Sequence, residues 1–290
     1  MYAIAGVSGR TGAAAAEALL AAKQSVRVIV RDARKGDPWR ARGAEVAVAS
    51  FEDTAGLAQA LRGAKGAYLL LPPFAFGDTG LKERRVQLGR SIVEAVSQAR
   101  PGHVVLLSSI GAEQLSGTGP VAALHPIEEG LRASGLPSTF LRAAYFMENW
   151  GASIQSVMDQ GTLYNGLVAD KRIPMIATRD IGAQAAKALL EPTSKPGRVV
   201  ELAGPTDYSL NEVAATFGRI LGKPVSAVQV PIPAMEAGLQ QMGASAEVAA
   251  LYGEMVQGVN VGHVKWQGGG ATFVRGATPL EAVLRQLLGK

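Results

Sequence analysis

The chain opens on a short apolar run, Tyr2 to Ala5, which breaks into Gly-Val-Ser-Gly-Arg-Thr-Gly and passes straight into an alanine-rich stretch, Ala13 to Ala22. No other feature constrains the fold as tightly. Gly6, Gly9 and Gly12 form a G-x-x-G-x-x-G pattern, one residue longer than the standard G-x-G-x-x-G. Glycine allows backbone dihedrals that side chains disfavour and lets a ligand approach the main chain, while the following helix offers its first unpaired N–H groups to an anion. The spacing alone also suits an ordinary tight turn. Its place between an apolar strand and a helix favours a dinucleotide-binding βαβ unit, with a pyrophosphate over the helix start. Ser8, Arg10 and Thr11 add two hydroxyls and a charge, for the ligand or for local capping.

The alternation continues. Strands are predicted at Tyr2 to Ala5, Val26 to Val30, Ala44 to Val48, Gly66 to Leu71, His103 to Leu107 and Leu136 to Leu141. Helices are predicted at Asp53 to Arg62, Leu81 to Gln98 and Pro126 to Ala133. This order predicts a Rossmann-like α/β fold with a mostly parallel, doubly wound sheet and a smaller C-terminal α/β substrate lobe. Residues 1–142 are assigned mainly to NAD(P) binding and 143–290 mainly to the substrate lobe, with segments around 178–205 returning to the core domain. Helices are further expected at Leu210 to Leu221 and Leu280 to Leu288, and Gly262 to Gly270 reads as an ordered surface loop.

At the end of the second strand stands Val-Ile-Val-Arg-Asp, with Arg31 where many such units place an acid for the adenosine ribose. An acid repels a 2′-phosphate; Arg31 can bind one with charge-assisted, bidentate hydrogen bonds, which favours NADPH over NADH. Arg10 and Lys35 can flank the same phosphate, and Asp32 competes if its side chain turns inward. The alternative is a solvated charged turn. Between Arg27 and Arg42 six basic residues face only Asp32 and Asp37, a local excess of 6 − 2 = +4 against +5 for the whole chain. The excess therefore reads as a field around a phosphate. No recognition-helix motif accompanies it, so direct nucleic-acid binding is not expected.

With no cysteine, disulfides, thiolate catalysis and cysteine-held zinc or iron–sulfur centres are excluded. His103, His125 and His263 lie far apart in the sequence without an H-E-x-x-H run, so no metal is expected, and nothing calls for flavin. No apolar stretch reaches the length of a membrane span and no secretory signal opens the chain; the expectation is a soluble, cytoplasmic protein without membrane insertion.

Gly6 to Gly12, Arg31, the segments YLLLPP and LLSSIGA, and above all HPIEEGLRASGLPSTFLRAAYFMENW resemble the NmrA-like family of atypical short-chain dehydrogenases/reductases. The resemblance runs from Tyr2 to the terminal helices. It implies NADP binding in a family that includes quinone reductases, other small-molecule reductases and redox-responsive regulators with little turnover.

Leu71, Pro72 and Pro73 follow a strand and either wall the cofactor or simply end the ladder. Ser108 and Ser109 follow another and are candidates to position the nicotinamide half. Phe51 reads as an adenine neighbour or a core aromatic. No Tyr-x-x-x-Lys occurs, so the acid–base pair of conventional short-chain dehydrogenases is absent. The resembling family places a lysine or histidine in the analogous region, which makes His125 the catalytic candidate; a structural histidine at a helix start is the competing reading. Glu128 is taken as a structural partner only. A quinone relaxes the need for a dedicated acid, because charge spreads over its oxygens before water protonates them. Tyr145, Phe146, Asn149 and Trp150 are the candidates to line an acceptor pocket, with Phe146 and Met147 equally suited to a core. The reading is NADPH-dependent reduction of a quinone or similar conjugated molecule. The alternative is a noncatalytic NADP-binding redox sensor or transcriptional regulator acting through protein contacts. A homodimer through a sheet or helical face is compatible with either.

Overall fold

A computed structural model describes residues 1–290. The first half runs β1 (Tyr2–Ala5), α1 (Arg10–Ala21), β2 (Val26–Val30), α2 (Asp37–Arg40), β3 (Glu45–Val48), α3 (Thr54–Leu61), β4 (Gly66–Leu70), α4 (Leu81–Ala99), β5 (Val104–Ser109), α5 (His125–Ala133) and β6 (Ser138–Ala143). There follow β7 (Tyr145–Phe146), α6 (Ile154–Gln160), β8 (Thr162–Asn165), β9 (Ile173–Ile176), α7 (Thr178–Leu190), β10 (Arg198–Ala203) and β11 (Asp207–Tyr208). The chain ends with α8 (Leu210–Leu221), β12 (Ser226–Gln229), α9 (Ile232–Gln241), α10 (Ala246–Asn260), β13 (Thr272–Arg275) and α11 (Leu280–Leu287).

Eight parallel strands form the main sheet in the order β13-β10-β6-β5-β4-β1-β2-β3. The chain leaves β1 toward one edge through β2 and β3, then crosses back to β4 and builds the other side. The point where the order reverses lies between β1 and β4, and in open parallel sheets the crevice outside the carboxyl ends at that point takes the ligand. Runs such as Ala3, Ile4 and Ala5 are buried on both faces, as a sheet covered by helices requires.

One face packs against α1 and α7 through Ile4, Leu19, Val28, Tyr68, Ile181 and Leu189. The other packs against α3, α4 and α5 through Leu57, Ile92, Val104, Leu106, Ile127 and Phe140. A third core, around Met147, Trp150, Leu163, Phe217, Val256 and Leu284, holds the later helices to the small sheets β11-β9-β7 and β12-β8. β10 pairs with β6 in the main sheet, and α7 lies against α1 so closely that a Cβ on Gly182 would come within 2.3 Å of Ala14 Cβ.

Two local differences from the sequence reading have simple causes. β6 begins at Ser138, not Leu136, because Gly135 takes the left-handed conformation (φ +68°) and Pro137 has no N–H for the ladder. β13 becomes an edge strand on β10, although it follows a glycine run that carries no strand signal. No helix is long and apolar enough to cross a membrane.

Candidate functional site

Gly6 and Gly12 at the switch point are required by contact. Gly6 has φ +70°, and a Cβ there would lie 2.5 Å from Leu70 Cδ2 at the end of β4. The Gly9 N–H donates to the Gly6 carbonyl at 2.9 Å, closing the turn. A Cβ on Gly12 would lie 2.5 Å from the Ala5 and Gly6 carbonyl oxygens, so only glycine lets α1 start directly on β1. The N-cap of α1 is Gly9, without a side-chain cap, and its first turn holds no acidic residue. Its N–H groups and the positive end of its dipole are left for an anion. Ser8 and Arg10 are exposed beside it. Thr11 is buried and faces Tyr68, so its hydroxyl lies under the helix and not on the open side of the turn.

One strand over, the charges sort themselves. Asp32 does not turn inward: its carboxylate accepts the Arg34 backbone N–H at 3.0 Å and the Arg34 guanidinium at 2.9 and 3.2 Å, capping the 3-10 turn Ala33–Gly36. Those bonds from Arg34 hold the Asp32 carboxyl below its ordinary range. Arg27 pairs with Glu45 at 2.6 Å, Arg42 with Glu17 at 2.8 Å, and Arg40 with Asp37. Of the six basic residues between 27 and 42, Arg31 and Lys35 alone have no carboxylate partner. Both are exposed, as is Arg10, which also has none.

Toward the other side of the switch point, Leu71 and Pro72 are half-buried and Pro73 is exposed. Ser108 is not open to a ligand: its hydroxyl is buried and donates to Glu128 Oε1 at 2.6 Å. Ser109, on the opposite face of β5, is half-buried and bonds the Ile110 carbonyl at 3.1 Å. Glu128 receives Arg142 through Nε at 3.0 Å and Nη2 at 2.6 Å, and Arg142 also reaches Glu113 at 2.8 Å. Burial disfavours the Arg142 charge, but Glu128 and Glu113 more than offset it and hold its pKa above the ordinary value. His125 sits half-buried with Nδ1 at 3.2 Å from the Ala112 carbonyl. It lines a cavity of about 500 Å³ together with Glu113, Arg132, Arg142 and residues 267–271.

The acceptor candidates divide. Tyr145 is half-buried beside Asn149, which is exposed. Burial raises the Tyr145 phenol, against the effect of the Asn149 contact. Phe146 packs partly into the main core. Trp150, 1% exposed, is a core side chain whose Nε1–H donates to Met175 Sδ at 3.5 Å; its ring lies tilted at 47° against Tyr145, 5.4 Å between centroids, and does not line an open wall. Phe51 is half-buried against the α3–α4 face.

The sequence reading missed the strap formed where α10 meets the loop after β4 and the start of α4. At the start of α10 the Ser245 hydroxyl donates to the Asp78 carbonyl at 2.6 Å, and Glu247 accepts the Leu81 and Lys82 N–H groups at 2.9 and 3.2 Å. Glu247 thereby caps α4, whose own N-cap, Gly80, has no side chain to do so. This pins α10 onto the loop after β4 and brings Tyr252 to Phe74 at 5.9 Å between ring centroids, with the Arg85 guanidinium over the same Phe74 ring at 5.2 Å. No sequence motif marks Phe74, Arg85 or Tyr252. No three His, Asp or Glu side chains gather as a metal site.

A model of the NmrA-like family matches residues 2–265. The chain is 27% identical over 255 residues to an NAD(P)H azoreductase of Xenophilus azovorans, covering 88% of this chain and 86% of that protein. It is 27% identical over 248 residues to quinone oxidoreductase 2 of Escherichia coli (strain K12), covering 84% and 82%. The crystal structure of an NADPH-dependent quinone oxidoreductase from Escherichia coli in complex with NADPH matches with a TM-score of 0.78 at 24% identity, over 99% of this chain and 100% of that one. The Citrobacter triphenylmethane reductase complexed with NADP(H) matches with a TM-score of 0.83 at 19% identity over the same shares. At these identities the two structures speak for the fold.

Proposed function

Since the chain belongs to the NmrA-like family, we propose that it is an NADPH-dependent reductase delivering hydride to a quinone or a similarly conjugated small molecule. The observation that carries the cofactor half is the pair of unpartnered cations, Arg31 and Lys35, one strand over from a turn where Gly6 and Gly12 leave no room for a side chain, while Arg27, Arg34, Arg40 and Arg42 are already paired with carboxylates. The residues present fit NADP(H). Gly6, Gly9 and Gly12 give close approach to a pyrophosphate, the uncapped start of α1 supplies N–H donors, and Ser8 and Arg10 add polar contacts. Arg31, flanked by Lys35, takes the 2′-phosphate. Leu71, Pro72 and Pro73 border the nicotinamide half.

Bound there, the cofactor supplies a hydride from nicotinamide C4. The chain supplies position, since holding donor and acceptor together removes much of the entropic barrier to transfer. Tyr145, Phe146 and Asn149 serve as the acceptor wall, with Trp150 packed against Tyr145. His125 is assigned to hold the β5–α5 connection through Ala112, and Ser108 to anchor Glu128; neither is needed for hydride transfer. Residues 1–142 with 178–205 make the cofactor lobe in this reading, and the remainder the acceptor lobe. The azoreductase and quinone oxidoreductase among the relatives act, by name, on conjugated acceptors, which supports the same class here.

The test is an acceptor series, a quinone, an azo dye and a triphenylmethane dye, each with NADPH and with NADH. Oxidation that requires both NADPH and a conjugated acceptor is the expected result. Tight NADPH binding without turnover of any acceptor favours an NADP sensor instead.

A further inference from the structure

Two arginines are buried in this protein, and they are treated differently. Arg142, 2% exposed, is met by Glu128 and Glu113. Arg85, 9% exposed, has no carboxylate: its terminal nitrogens donate only to the Pro72 carbonyl at 3.4 Å and the Pro120 carbonyl at 3.1 Å, and its Nε has no partner. A buried cation without a counter-charge is costly, and burial has already pulled the Arg85 pKa down to about 10. Its guanidinium lies over Phe74, and the Tyr252 ring touches the same phenylalanine. Burial raises the Tyr252 phenol and the Arg85 charge opposes that shift, so the two are near enough to act on each other. Pro72 follows β4, Pro120 precedes α5 and Tyr145 follows β6, so the pair stands on the side of the switch point opposite Arg31.

We propose that Tyr252 and Arg85 form a proton-donor and charge-stabilising pair for the reduced acceptor, assembled from α10 and α4 in place of the Tyr-x-x-x-Lys pair absent from the sequence. The proposal rests on the reductase reading above. A quinone that has accepted a hydride carries negative charge on one oxygen. The Tyr252 O–H bond breaks as its proton passes to that oxygen, the phenolate is held by Arg85, and water restores the phenol. The balance is quinone, NADPH and one proton going to hydroquinone and NADP⁺. Other ionisable groups around α10 are engaged elsewhere or belong to its outer side. Glu247 caps α4, Glu254 accepts the Gly117 N–H, Glu236 of α9 lies against Gly253, and Asp78 is held by Ala75 and Arg84. Tyr145 is a neighbouring phenol, raised by its own burial and further by Tyr252.

A cationic triphenylmethane dye separates the two steps, because its central carbon becomes neutral on accepting hydride and needs no proton. With NADPH, Tyr252→Phe should lower quinone turnover about 100-fold, the scale of a lost general acid, while dye reduction stays near the wild-type rate. Arg85→Met should follow Tyr252→Phe, and Arg85→Lys should recover part of the loss. A second readout needs no cofactor: 4-nitrophenol titrated into the cofactor-free protein should bind as the yellow phenolate, and Arg85→Met should abolish that colour change. Equal losses for quinone and dye, wild-type quinone turnover in Tyr252→Phe, or phenolate binding indifferent to Arg85 would each overturn the pair. If wild-type protein reduces neither acceptor, the reductase reading fails with it; if it reduces both and Tyr252→Phe does too, only the pair fails.

Discussion

At the scale of single residues, identity and direction carry different information. Arg31 was legible because the length of β2 fixes which side chain stands at its end. What the sequence did not contain was which neighbouring charges would be spent on one another. Asp32 turns to cap a 3-10 turn, and that choice leaves Arg31 free. Replacing Arg31 with alanine removes a charge-assisted contact, about 1.5–3 kcal/mol, so NADPH binding should weaken by roughly 10- to 100-fold with NADH nearly unaffected. Calorimetric titration of both cofactors measures this, and equal losses would reject the phosphate assignment. Thr11, Ser108 and Trp150 show the converse: hydroxyls and an indole in the right stretch of chain, turned inward by the alternation of a strand or the pitch of a helix.

His103 belongs to this scale too. It is buried at the opposite end of β5, with Nε2 at 3.0 Å from Thr139 Oγ1, and burial, aided by Arg198, lowers its pKa from 6.5 to about 4. It is therefore neutral in the fold. Below pH 6.5 the unfolded chain takes up a proton that the folded chain refuses until about pH 4, so stability must fall as the pH is lowered through that window, by up to ~3 kcal/mol. Urea unfolding at pH 7 and pH 4.5 should show the loss, and His103→Gln should flatten that part of the profile.

Among the elements, the βαβ order was readable because each strand of the first half is short, bounded by turn residues and followed by a helix with its own apolar periodicity. Close packing between elements was less so. Gly182 of α7 sits so close that a Cβ there would lie 2.8 Å from the Thr11 carbonyl oxygen as well as against Ala14, so α7 presses on the first turns of α1. Gly182→Ala should cost about 1–3 kcal/mol through overpacking. Because the push falls on α1, NADPH affinity should drop with it. A stability loss without any change in affinity would show that α1 absorbs the strain without moving its N-terminus. The α10 strap was illegible for a different reason. Its anchors join Glu247 to Leu81, 166 positions apart, and no local pattern encodes such a pairing.

Across the whole molecule, the doubly wound sheet places the glycine cradle and Arg31 on one side of the switch point. It places the loop after β4, the α10 strap and the Tyr145 segment on the other. The charge excess between residues 27 and 42 narrows to two free cations, and the proposed counterpart of the missing acid–base motif joins residues far apart in the sequence. Hydride transfer from NADPH to a conjugated acceptor is the central proposed step. Its most direct measurement mixes the preformed NADPH complex with a quinone in a single turnover, with no flavin or metal added. The prediction is that one equivalent of NADPH per site is consumed only on quinone addition, and that NADH needs at least about 10-fold higher concentration for the same rate. A complex that binds NADPH tightly yet leaves it unoxidised by quinones and by other conjugated acceptors would contradict the account.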